Sequence, residues 1–279
     1  MPELPEVETV CRGLAHVMQG RRLVRVEVRR KDLRIPFPPG LAKTLTGRRI
    51  VRIYRRAKYI LMDLDDDHVV IAHLGMSGRM TVIAPGTALE AHDHVVFHTD
   101  DGQEVRFNDP RRFGLMTLTT KAALDRHKLF AAQGPDPLLD PFTPEILSAA
   151  LKGRTTSIKA ALLDQRIVVG LGNIYVCEAL FRASISPKRK SGTVAGARAA
   201  VLVPAIKQVL EEATAVGGSS LRDHVQPSGE LGYFQHNWRV YGREGEACTA
   251  SGHPGGKTAP IKRVVQGGRS TFYCPVCQK

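Results

Sequence analysis

The first residues of the chain combine a potential nucleophile with an acid. Removal of Met1 in front of a small residue would expose the secondary amine of Pro2, and Glu3 follows directly. A secondary amine can attack a carbon such as a sugar C1′ and form an iminium, while an adjacent carboxyl group moves a proton to or from the sugar. The same residues also suit an ordinary helix that starts at proline with acids in its first turn. The pair alone leaves both roles open.

The segment behind this amine has the pattern of one amphipathic helix. Apolar residues recur three and four apart and predict a helix from about residue 3 to 19; they are Leu4, Val7, Val10, Cys11, Leu14, Val17 and Met18. The positive end of the helix dipole should lower the pKa of an amine at its start. The helix would therefore position the Pro2 nitrogen and keep more of it neutral.

The composition points to a polyanionic partner. The chain has 279 residues, 43% of them hydrophobic, and its 40 Lys and Arg against 27 Asp and Glu give a formal charge of +13. The length suits about two domains at roughly 100 to 200 residues each. The charge favours nucleic acid, because neutralised phosphates release counterions, although an inert basic surface gives the same excess. No strongly amphipathic basic helix lies at either end, which disfavours a membrane surface.

The N-terminus and the cysteines predict an intracellular protein. The acidic start is unlike a secretory signal, and no apolar run reaches the length of roughly 18 residues that a membrane helix needs. The five cysteines are an odd, unevenly spaced set, unlike a disulfide framework. Cys11 and Cys177 lie among apolar residues and are expected to be buried, whereas the other three crowd the C-terminus.

Short strands are predicted throughout the first half of the chain. Val24, Val26 and Val28 alternate with charged residues, as in a half-buried strand. Further strands are predicted at residues 49–54, 59–64, 69–73, 80–83, 95–98, 104–107 and 115–119, with aspartate-rich turns between some of them. This spacing favours a sandwich or barrel, so we interpret residues 1–134 as a β-domain with one leading helix.

The pattern turns helical after the proline-rich linker at residues 134–141. Helices are predicted at residues 144–151, 157–164, 173–182 and about 195–215, followed by a glycine-rich start to a loop that runs to about residue 233. From residue 239 the chain has the pattern of a small ribbon around Cys and His. We therefore predict an α+β multidomain protein with domains at 1–134, 135–238 and 239–279.

Six further motifs, in order along the chain, give the N-terminus its context. They are RAKY (56–59), HLGMSG (73–78), DPRRFG (109–114), GLGNIY (170–175), VYGR (240–243) and QGGRSTFYC (266–274). Together with the opening MPELPEVET they resemble the formamidopyrimidine-DNA glycosylase family over nearly the whole chain. The resemblance implies a β-sandwich, a helix–two-turn–helix domain and a zinc ribbon, with damaged double-stranded DNA in the cleft between them.

The resemblance implies base excision followed by β,δ-elimination at the abasic site. Pro2 would be the Schiff-base nucleophile and Glu3 the proton donor. Lys58 matches the family lysine that assists elimination, and Arg269 matches the arginine of the last elimination step, whose fork of donors suits a phosphate. Lys58 would otherwise be an ordinary solvated cation beside a strand.

Three residues match the family's side chains that fill the void left by a flipped base. Met76 and Phe113 can replace lost stacking, and Arg111 can hydrogen-bond the orphaned partner base. Met76 lies in a turn-like setting that would expose it, although a place in the core is the ordinary alternative. Two-residue strand spacing puts Arg111 and Phe113 on one side and leaves Arg112 on the other.

Further matches concern the DNA backbone. The implied phosphate contacts are His73, His92, Arg154, Lys159 and Asn173. Asn173 follows two glycines at a helix start, so it could cap that helix while free N–H groups face a phosphate. His94 is an alternative to His92. Glu178 would help to organise the site, or would be a buried structural residue.

The C-terminal ribbon departs from the family pattern of two Cys-x2-Cys pairs. Cys274 and Cys277 form an intact pair, but Ser251 stands where a partner of Cys248 is expected. His253 could supply the fourth ligand and give one structural zinc a Cys3His site. Zinc held by three cysteines and another group, or a ribbon without zinc, are the alternatives.

The function that the resemblance implies is a bifunctional glycosylase and AP lyase for oxidised purines such as 8-oxoguanine and formamidopyrimidines. The alternatives are an endonuclease VIII-like glycosylase for oxidised pyrimidines and a non-catalytic DNA-binding protein. The opening PELPE and the Arg111–Phe113 motif favour the activity on oxidised purines over the activity on oxidised pyrimidines. The presence of Pro2, Glu3, Lys58 and Arg269 argues against a non-catalytic protein. We expect a monomer in the cytoplasm, associated with the nucleoid and not with a membrane.

Overall fold

The structure, a computed structural model, describes residues 1–84, 86–219, 227, 232–250, 253 and 259–279. Ser251, residues 254–256 and most of the predicted loop up to residue 233 lie outside the described residues. Contacts divide the chain into two compact units, Met1–Ala131 with Thr214–Gln235, and Ala132–Ala213 with His236–Lys279. The three-domain division at residues 134 and 238 stays a prediction. No helix among the described residues is long and apolar enough to span a membrane.

The first unit is a β-sandwich led by a helix. Helix α1 (Leu4–Met18) precedes β1 (Leu23–Val28) and the short α2 (Leu41–Leu45). The remaining strands are β2 (Ile50–Arg56), β3 (Tyr59–Leu64), β4 (His68–His73), β5 (Arg79–Ile83), β6 (Asp93–Thr99), β7 (Glu104–Asn108) and β8 (Leu115–Thr120). They form two antiparallel sheets, β1-β6-β7-β5 and β2-β3-β4-β8. All eight predicted strands are confirmed within a few residues, whereas α2 was not predicted.

The core of this unit lies between the two sheets and under α1. Val7, Val10 and Leu14 of α1 pack in one apolar cluster with inward residues of both sheets, such as Ile60 and Phe97. The predicted alternation in β1 fails at Val24, which is 51% exposed. The pairing of β1 with β6 shifts register between Leu23 and Arg25, and this irregularity turns Val24 outward.

The second unit joins helices to a two-stranded hairpin. Its helices are α3 (Pro144–Leu151), α4 (Ile158–Leu163), α5 (Asn173–Arg182) and α6 (Ala197–Ala215), whose last two residues belong to the first unit. Strands β9 (Lys262–Gln266) and β10 (Arg269–Tyr273) form the hairpin. Ser157 caps α4, because its hydroxyl accepts the N–H of Ala160 at 3.3 Å. The α+β class with a sandwich, a helical region and a ribbon is confirmed.

Candidate active site and zinc cluster

The N-terminal residues are buried at the start of α1. Pro2 is buried, and Glu3 and Glu6 are only 3% and 2% exposed. The carboxylate of Glu6 accepts the N–H of Glu3 at 2.8 Å and the N–H of Ser219 at 2.7 Å. Because the first of these N–H groups belongs to the Pro2–Glu3 peptide, Glu6 fixes the backbone that carries the candidate nucleophile.

Gly218 allows the segment after α6 to approach Glu6. A Cβ at this glycine would lie 2.9 Å from Oε1 of Glu6, and its φ of +77° belongs to the left-handed region. A larger residue would therefore push the neighbouring Ser219 N–H away from the Glu6 carboxylate.

The surroundings of the N-terminus favour a neutral amine. Burial, as the main cause, lowers the pKa of the Met1 amino group from its usual value near 8.0. The positive charges of Lys58 and Arg111 lower this pKa further, whereas the carboxylates of Glu3 and Glu6 oppose them. The charges of Lys58 and Arg111 are thus near enough to the N-terminal amine to affect its pKa, as a site assembled around Pro2 requires.

Lys58 lies on a tight turn between β2 and β3. The turn consists of Ala57 and Lys58, and Ala57 has a φ of +54°, which is uncommon for a residue other than glycine. Arg55, which is 4% exposed, donates from Nη1 to the carbonyl of Ala57 at 3.0 Å and from Nε to Glu8 of α1 at 3.1 Å. The buried guanidinium therefore ties the turn of Lys58 to helix α1.

Sequence reasoning missed Arg55, although a signal was present. Ile53 and Arg55 are two residues apart in β2 and both are buried, so they share the inward face of the strand. An arginine on an inward face needs hydrogen-bonding partners, because a buried charge is costly without them. The pattern could therefore have marked Arg55 as a residue with a structural task beside Lys58.

His73 ends β4 as a buried, neutral ring. Its Nδ1 accepts the N–H of Gly75 at 2.9 Å, which leaves the proton on Nε2. Burial, followed by the charges of Lys58, Arg34 and the N-terminus, lowers the pKa of His73 to about 4. At neutral pH the ring therefore has an Nε2–H donor but no charge.

Met76 and Phe113 are both exposed, at 38% and 48%, on two segments that pack backbone against backbone. A Cβ at Gly75, where φ is +65°, would lie 2.4 Å from the backbone of Phe113 and of Gly114. Only glycine permits this approach. The turn that exposes Met76 was predicted, and it lies directly beside the segment of Phe113.

Asp109, with 0% exposure, fixes these two segments together. One carboxylate oxygen accepts the hydroxyl of Ser77 at 2.6 Å, and the other accepts the N–H of Gly114 at 2.8 Å. The Ser77 hydroxyl also accepts the N–H of Arg111 at 3.2 Å. Asp109 and Ser77 lie in the sequence motifs DPRRFG and HLGMSG, but no role was predicted for either of them.

Arg111 and Phe113 lie on one side, but not for the predicted reason. They precede β8 and belong to a loop, so strand alternation does not apply. Arg112 instead adopts a φ of +59°, which reverses the chain locally. The guanidinium of Arg111 lies 4.9 Å from the centre of the Phe113 ring.

The histidines of β6 and the preceding loop have different surroundings. His92 is exposed, whereas His94 is 3% exposed and its Nε2 lies 2.9 Å from the carbonyl of Asp109. His92 is thus available to a ligand, while His94 contributes to the folding of the Asp109 segment. That His92 contacts DNA stays a prediction.

In the second unit the predicted phosphate contacts differ strongly in exposure. Arg154 is exposed and its Nε donates to the carbonyl of Ala150. Lys159 is 1% exposed, and its ammonium donates to the Ser270 carbonyl and the Thr271 hydroxyl of β10. The ammonium of Lys159 therefore faces the hairpin in this structure.

The prediction that Asn173 caps α5 is wrong. Gly172 occupies the cap position, and no side chain accepts a hydrogen bond there. The Asn173 amide donates instead to the Ser270 carbonyl at 2.9 Å and to the Tyr241 hydroxyl at 3.4 Å. The Asn173 side chain therefore bonds to the hairpin and to Tyr241 instead of to the N-terminus of its own helix.

Glu178 lies 0% exposed in the middle of α5. Its carboxylate accepts three successive backbone N–H groups, those of Arg239, Val240 and Tyr241, at 2.9 to 3.0 Å. Glu178 thereby fixes the segment that carries Tyr241, which in turn contacts Asn173.

Arg269 is exposed at the first position of β10, beside the tip of the hairpin. It pairs with Gln266, and the two residues between them, Gly267 and Gly268, have φ values of +55° and +73°. A two-residue turn with both φ values positive strongly favours glycine, asparagine or aspartate at its two positions. The glycine pair in the sequence therefore fixes the place of Arg269.

Four side chains near the C-terminus converge on one point. The ligand atoms of Cys248, His253, Cys274 and Cys277 all lie within 4.8 Å of one another. The two sulfurs of Cys248 and Cys277 are 3.8 Å apart, and Nε2 of His253 lies 3.6 Å from Cys274 Sγ and 3.2 Å from Cys277 Sγ. A tetrahedral zinc with bonds of about 2.3 Å to sulfur and 2.0 Å to nitrogen separates its ligands by roughly 3.5 to 3.8 Å. The cluster suits one structural zinc ion.

Family models match three parts of the chain. Residues 1–116 match the formamidopyrimidine-DNA glycosylase N-terminal domain, residues 133–225 the formamidopyrimidine-DNA glycosylase H2TH domain, and residues 259–279 the zinc finger found in FPG and IleRS. The zinc-finger match begins after Cys248 and His253. The altered part of the ribbon thus precedes the matched part.

Curated and solved relatives cover the chain from end to end. The formamidopyrimidine-DNA glycosylases of Ruegeria pomeroyi and Acidiphilium cryptum are each 56% identical to it, with 100% of both chains covered. A crystal structure of a Lactococcus lactis FPG mutant with DNA containing Fapy-dG has 34% identity, full coverage of both chains and a TM-score of 0.90. Another, of Lactococcus lactis Fpg with DNA containing an abasic site, has 33% identity, 99% coverage of both chains and a TM-score of 0.89. The chain belongs to the formamidopyrimidine-DNA glycosylase family.

Proposed function

We propose that the chain is a bifunctional DNA glycosylase and AP lyase that excises oxidised purines, such as 8-oxoguanine and formamidopyrimidines, from duplex DNA. The observation that carries the proposal is the buried Pro2–Glu3 start of α1. Glu6 fixes the Pro2–Glu3 peptide, and the positive charges of Lys58 and Arg111 help to lower the pKa of the Met1 amine. Membership of the family supports the same function.

The first step uses the Pro2 nitrogen after Met1 has been removed. The nitrogen forms a bond to C1′ of the sugar, the bond from C1′ to the base breaks, and the base leaves with a proton. Glu3 donates a proton to the sugar oxygen as the ring opens to an iminium. The burial that lowers the pKa of the Met1 amine would act on the shortened chain in the same way.

Strand cleavage follows from the iminium. It acidifies the hydrogens on C2′, so loss of one of them breaks the C3′–O bond, and a second elimination breaks the C5′–O bond. Lys58 assists the first elimination and Arg269 the second. The neutral Nε2–H of His73 donates to a phosphate oxygen without adding charge, because its pKa of about 4 leaves the ring uncharged.

The exposed side chains of the first unit suit DNA from which a base has been flipped. Met76, Phe113 and Arg111 fill the vacated space and contact the partner base. His92 and Arg154 contact phosphates, and the formal charge of +13 supports a polyanionic partner. Glu178 and the zinc cluster hold the parts of the second unit that reach the DNA.

The nucleophile can be tested by trapping. We would incubate the protein lacking Met1 with duplexes that contain 8-oxoguanine or thymine glycol, add borohydride, and measure the covalent adduct. We expect an adduct on 8-oxoguanine, a much smaller one with Pro2→Gly, whose primary amine must lose a second proton before it can attack, and an undiminished adduct with Pro5→Gly as the matched control. Pro5 lies in the first turn of α1 and carries no free amine.

Each outcome of this experiment decides one part of the proposal. An undiminished adduct with Pro2→Gly would refute the nucleophile assignment. An adduct on thymine glycol alone would favour the activity on oxidised pyrimidines. No adduct on either duplex would leave DNA binding without catalysis as the function.

We further propose that the chain acts as a monomer in the cytoplasm, at the nucleoid, through domains 1–134, 135–238 and 239–279. The bacterial sources of its relatives support this place of action. A sedimentation measurement, with and without a duplex, would test the monomer.

A further inference from the structure

The Ser270 carbonyl, directly after Arg269, receives hydrogen bonds from two helices. Nζ of Lys159, on α4, donates to it at 2.9 Å, and the amide of Asn173, at the start of α5, also donates to it at 2.9 Å. Both lone pairs of this carbonyl are therefore in use. Lys159 also donates to the hydroxyl of Thr271 at 2.7 Å.

The opposite strand of the hairpin is held in the same place. The carbonyl of Pro187 accepts the backbone N–H of Lys159 at 3.4 Å and the side-chain amide of Gln266 at 3.3 Å. Gln266 is the pairing partner of Arg269 across the turn. The residue on each side of the hairpin tip is thus tied to the segment around Lys159.

The hairpin needs such ties because it has only two strands. An isolated two-stranded hairpin is at best marginally stable in water. The tip at Gly267 and Gly268 is exposed and Arg269 is exposed beside it. The direction of the guanidinium therefore depends on what holds the next peptide.

We propose that Lys159 is a positioning residue for Arg269. Lys159 itself does not bind a phosphate, and it acts on the reaction only by holding the hairpin that carries Arg269. Its side chain is 1% exposed, and two of its three N–H bonds go to β10. A lysine that binds a phosphate instead extends its ammonium to the surface, as the exposed Arg154 does with its guanidinium. The inference rests on the proposed elimination chemistry and adds a residue that supports it.

The first test separates a buried donor from a phosphate contact. Each phosphate contact contributes about 0.9 to the slope of log affinity against log salt concentration. We would measure this slope on a duplex with a tetrahydrofuran abasic-site analogue for Lys159→Met, Lys159→Gln and Arg154→Gln, each in an Arg269→Ala background so that displacement of Arg269 cannot change the slope. We expect an unchanged slope for both Lys159 variants and a slope reduced by about 0.9 for Arg154→Gln. A reduction of about 0.9 in both Lys159 variants would overturn the proposal.

The second test follows the two elimination products on an abasic duplex. We expect Lys159→Met to lower the ratio of δ- to β-elimination product on the order of tenfold, because a small displacement of Arg269 costs the later step. Borohydride trapping at Pro2 should stay unchanged. Lys159→Gln, which keeps a donor without charge, should restore part of the ratio. Equal losses in the Met and Gln variants would contradict a positioning role.

A double-mutant comparison shows whether the effect passes through Arg269. Lys159→Met should change nothing further in an Arg269→Ala background, and an additional loss there would refute the coupling. If Lys159→Met does not fold, Thr271→Val removes one acceptor with little change of shape and should shift the ratio in the same direction. No trapping by the unaltered protein would instead refute the proposed function itself.

Discussion

The Pro2–Lys58 region and the Arg269 hairpin are held in place by very different amounts of packed core. Pro2 and Lys58 lie beside a large core shared by α1 and two sheets, and buried side chains such as Glu6 and Arg55 fix their backbones. Arg269 lies on a two-stranded hairpin over a small cluster that includes Cys248, Phe272 and Cys274. A region with little core needs other constraints, here the zinc ligands and the bonds to Ser270.

Because their supports differ, the two regions should lose their structure in different ways. Damage to one ligand of the zinc cluster should release the hairpin as a whole and leave the sandwich folded. Damage to one buried group near Pro2 should cost a limited amount of free energy, because the core retains the fold. The following variants test this contrast, beginning with the largest expected effect.

Replacement of His253 should remove zinc. Structural zinc contributes about 10–16 kcal/mol of apparent binding free energy in small zinc-finger peptides, so loss of one of four ligands should unfold the ribbon. We expect His253→Ala to lose its zinc, measured by metal analysis, and most of its affinity for duplex DNA. Trapping at Pro2 on a saturating duplex should persist.

The matched control is His16→Ala, since His16 is exposed on α1 and is not one of the four side chains of the cluster. It should retain one zinc per chain. A full complement of zinc in His253→Ala would show that three cysteines and another group suffice.

Replacement of Glu6 should have an intermediate effect. Hydrogen bonds to a charged group contribute about 1.5 to 3 kcal/mol each, and the Glu6 carboxylate accepts two from the backbone. Because Gln retains one acceptor, we expect Glu6→Gln to lower the free energy of unfolding by about 3 kcal/mol in urea denaturation. The rate of trapping should fall as the Pro2–Glu3 peptide loses its fixed position.

Glu211→Gln, on the exposed face of α6, serves as the control for charge alone. It should leave both the free energy of unfolding and the trapping rate as they are. If Glu6→Gln behaved like this control, the buried carboxylate would have no part in holding the nucleophile.

The smallest predicted effect concerns acid pH. The pKa of His73 is lowered to about 4 in the folded chain, against about 6.5 in the unfolded chain, so the unfolded chain binds more protons between these values. Stability due to neutral His73 is therefore present above pH 6.5 and is lost as pH falls toward 4. The loss between pH 7 and pH 5 should be about 2 kcal/mol.

Denaturation of His73→Asn at both pH values checks this assignment. Asn can accept the N–H of Gly75 but does not titrate, so its free energy of unfolding should depend less on pH by that amount. An equal pH dependence in both proteins would assign the effect to another group.

Local patterns predicted the elements of this fold well. The boundaries of β3, α3 and α5 follow from apolar runs that end at turn or cap residues, which are short-range signals. The exposure of Met76 followed from its glycine-flanked turn. The Cys3His cluster was one of three alternatives for the altered ribbon, and it was preferred because a structural zinc needs four donors and His253 could supply the one that is missing at Ser251.

The predictions that failed depended on partners distant in sequence. Asn173 was expected to cap its own helix, but Ser270 and Tyr241 engage its amide. Val24 was expected to face inward, but a register shift against β6 turned it outward. Such effects are decided by pairing between segments that the local pattern does not relate.

The sequence by itself determined which residues could supply an amine, an acid, a cation and zinc ligands, because residue type and spacing decide that chemistry. Only the tertiary structure decided which charged groups are buried. Arg55, Asp109 and Lys159 are polar in sequence, yet each lies at 4% exposure or less and bonds a backbone segment that carries a site residue. A buried charge persists only where folding brings it partners, and those partners come from other parts of the chain.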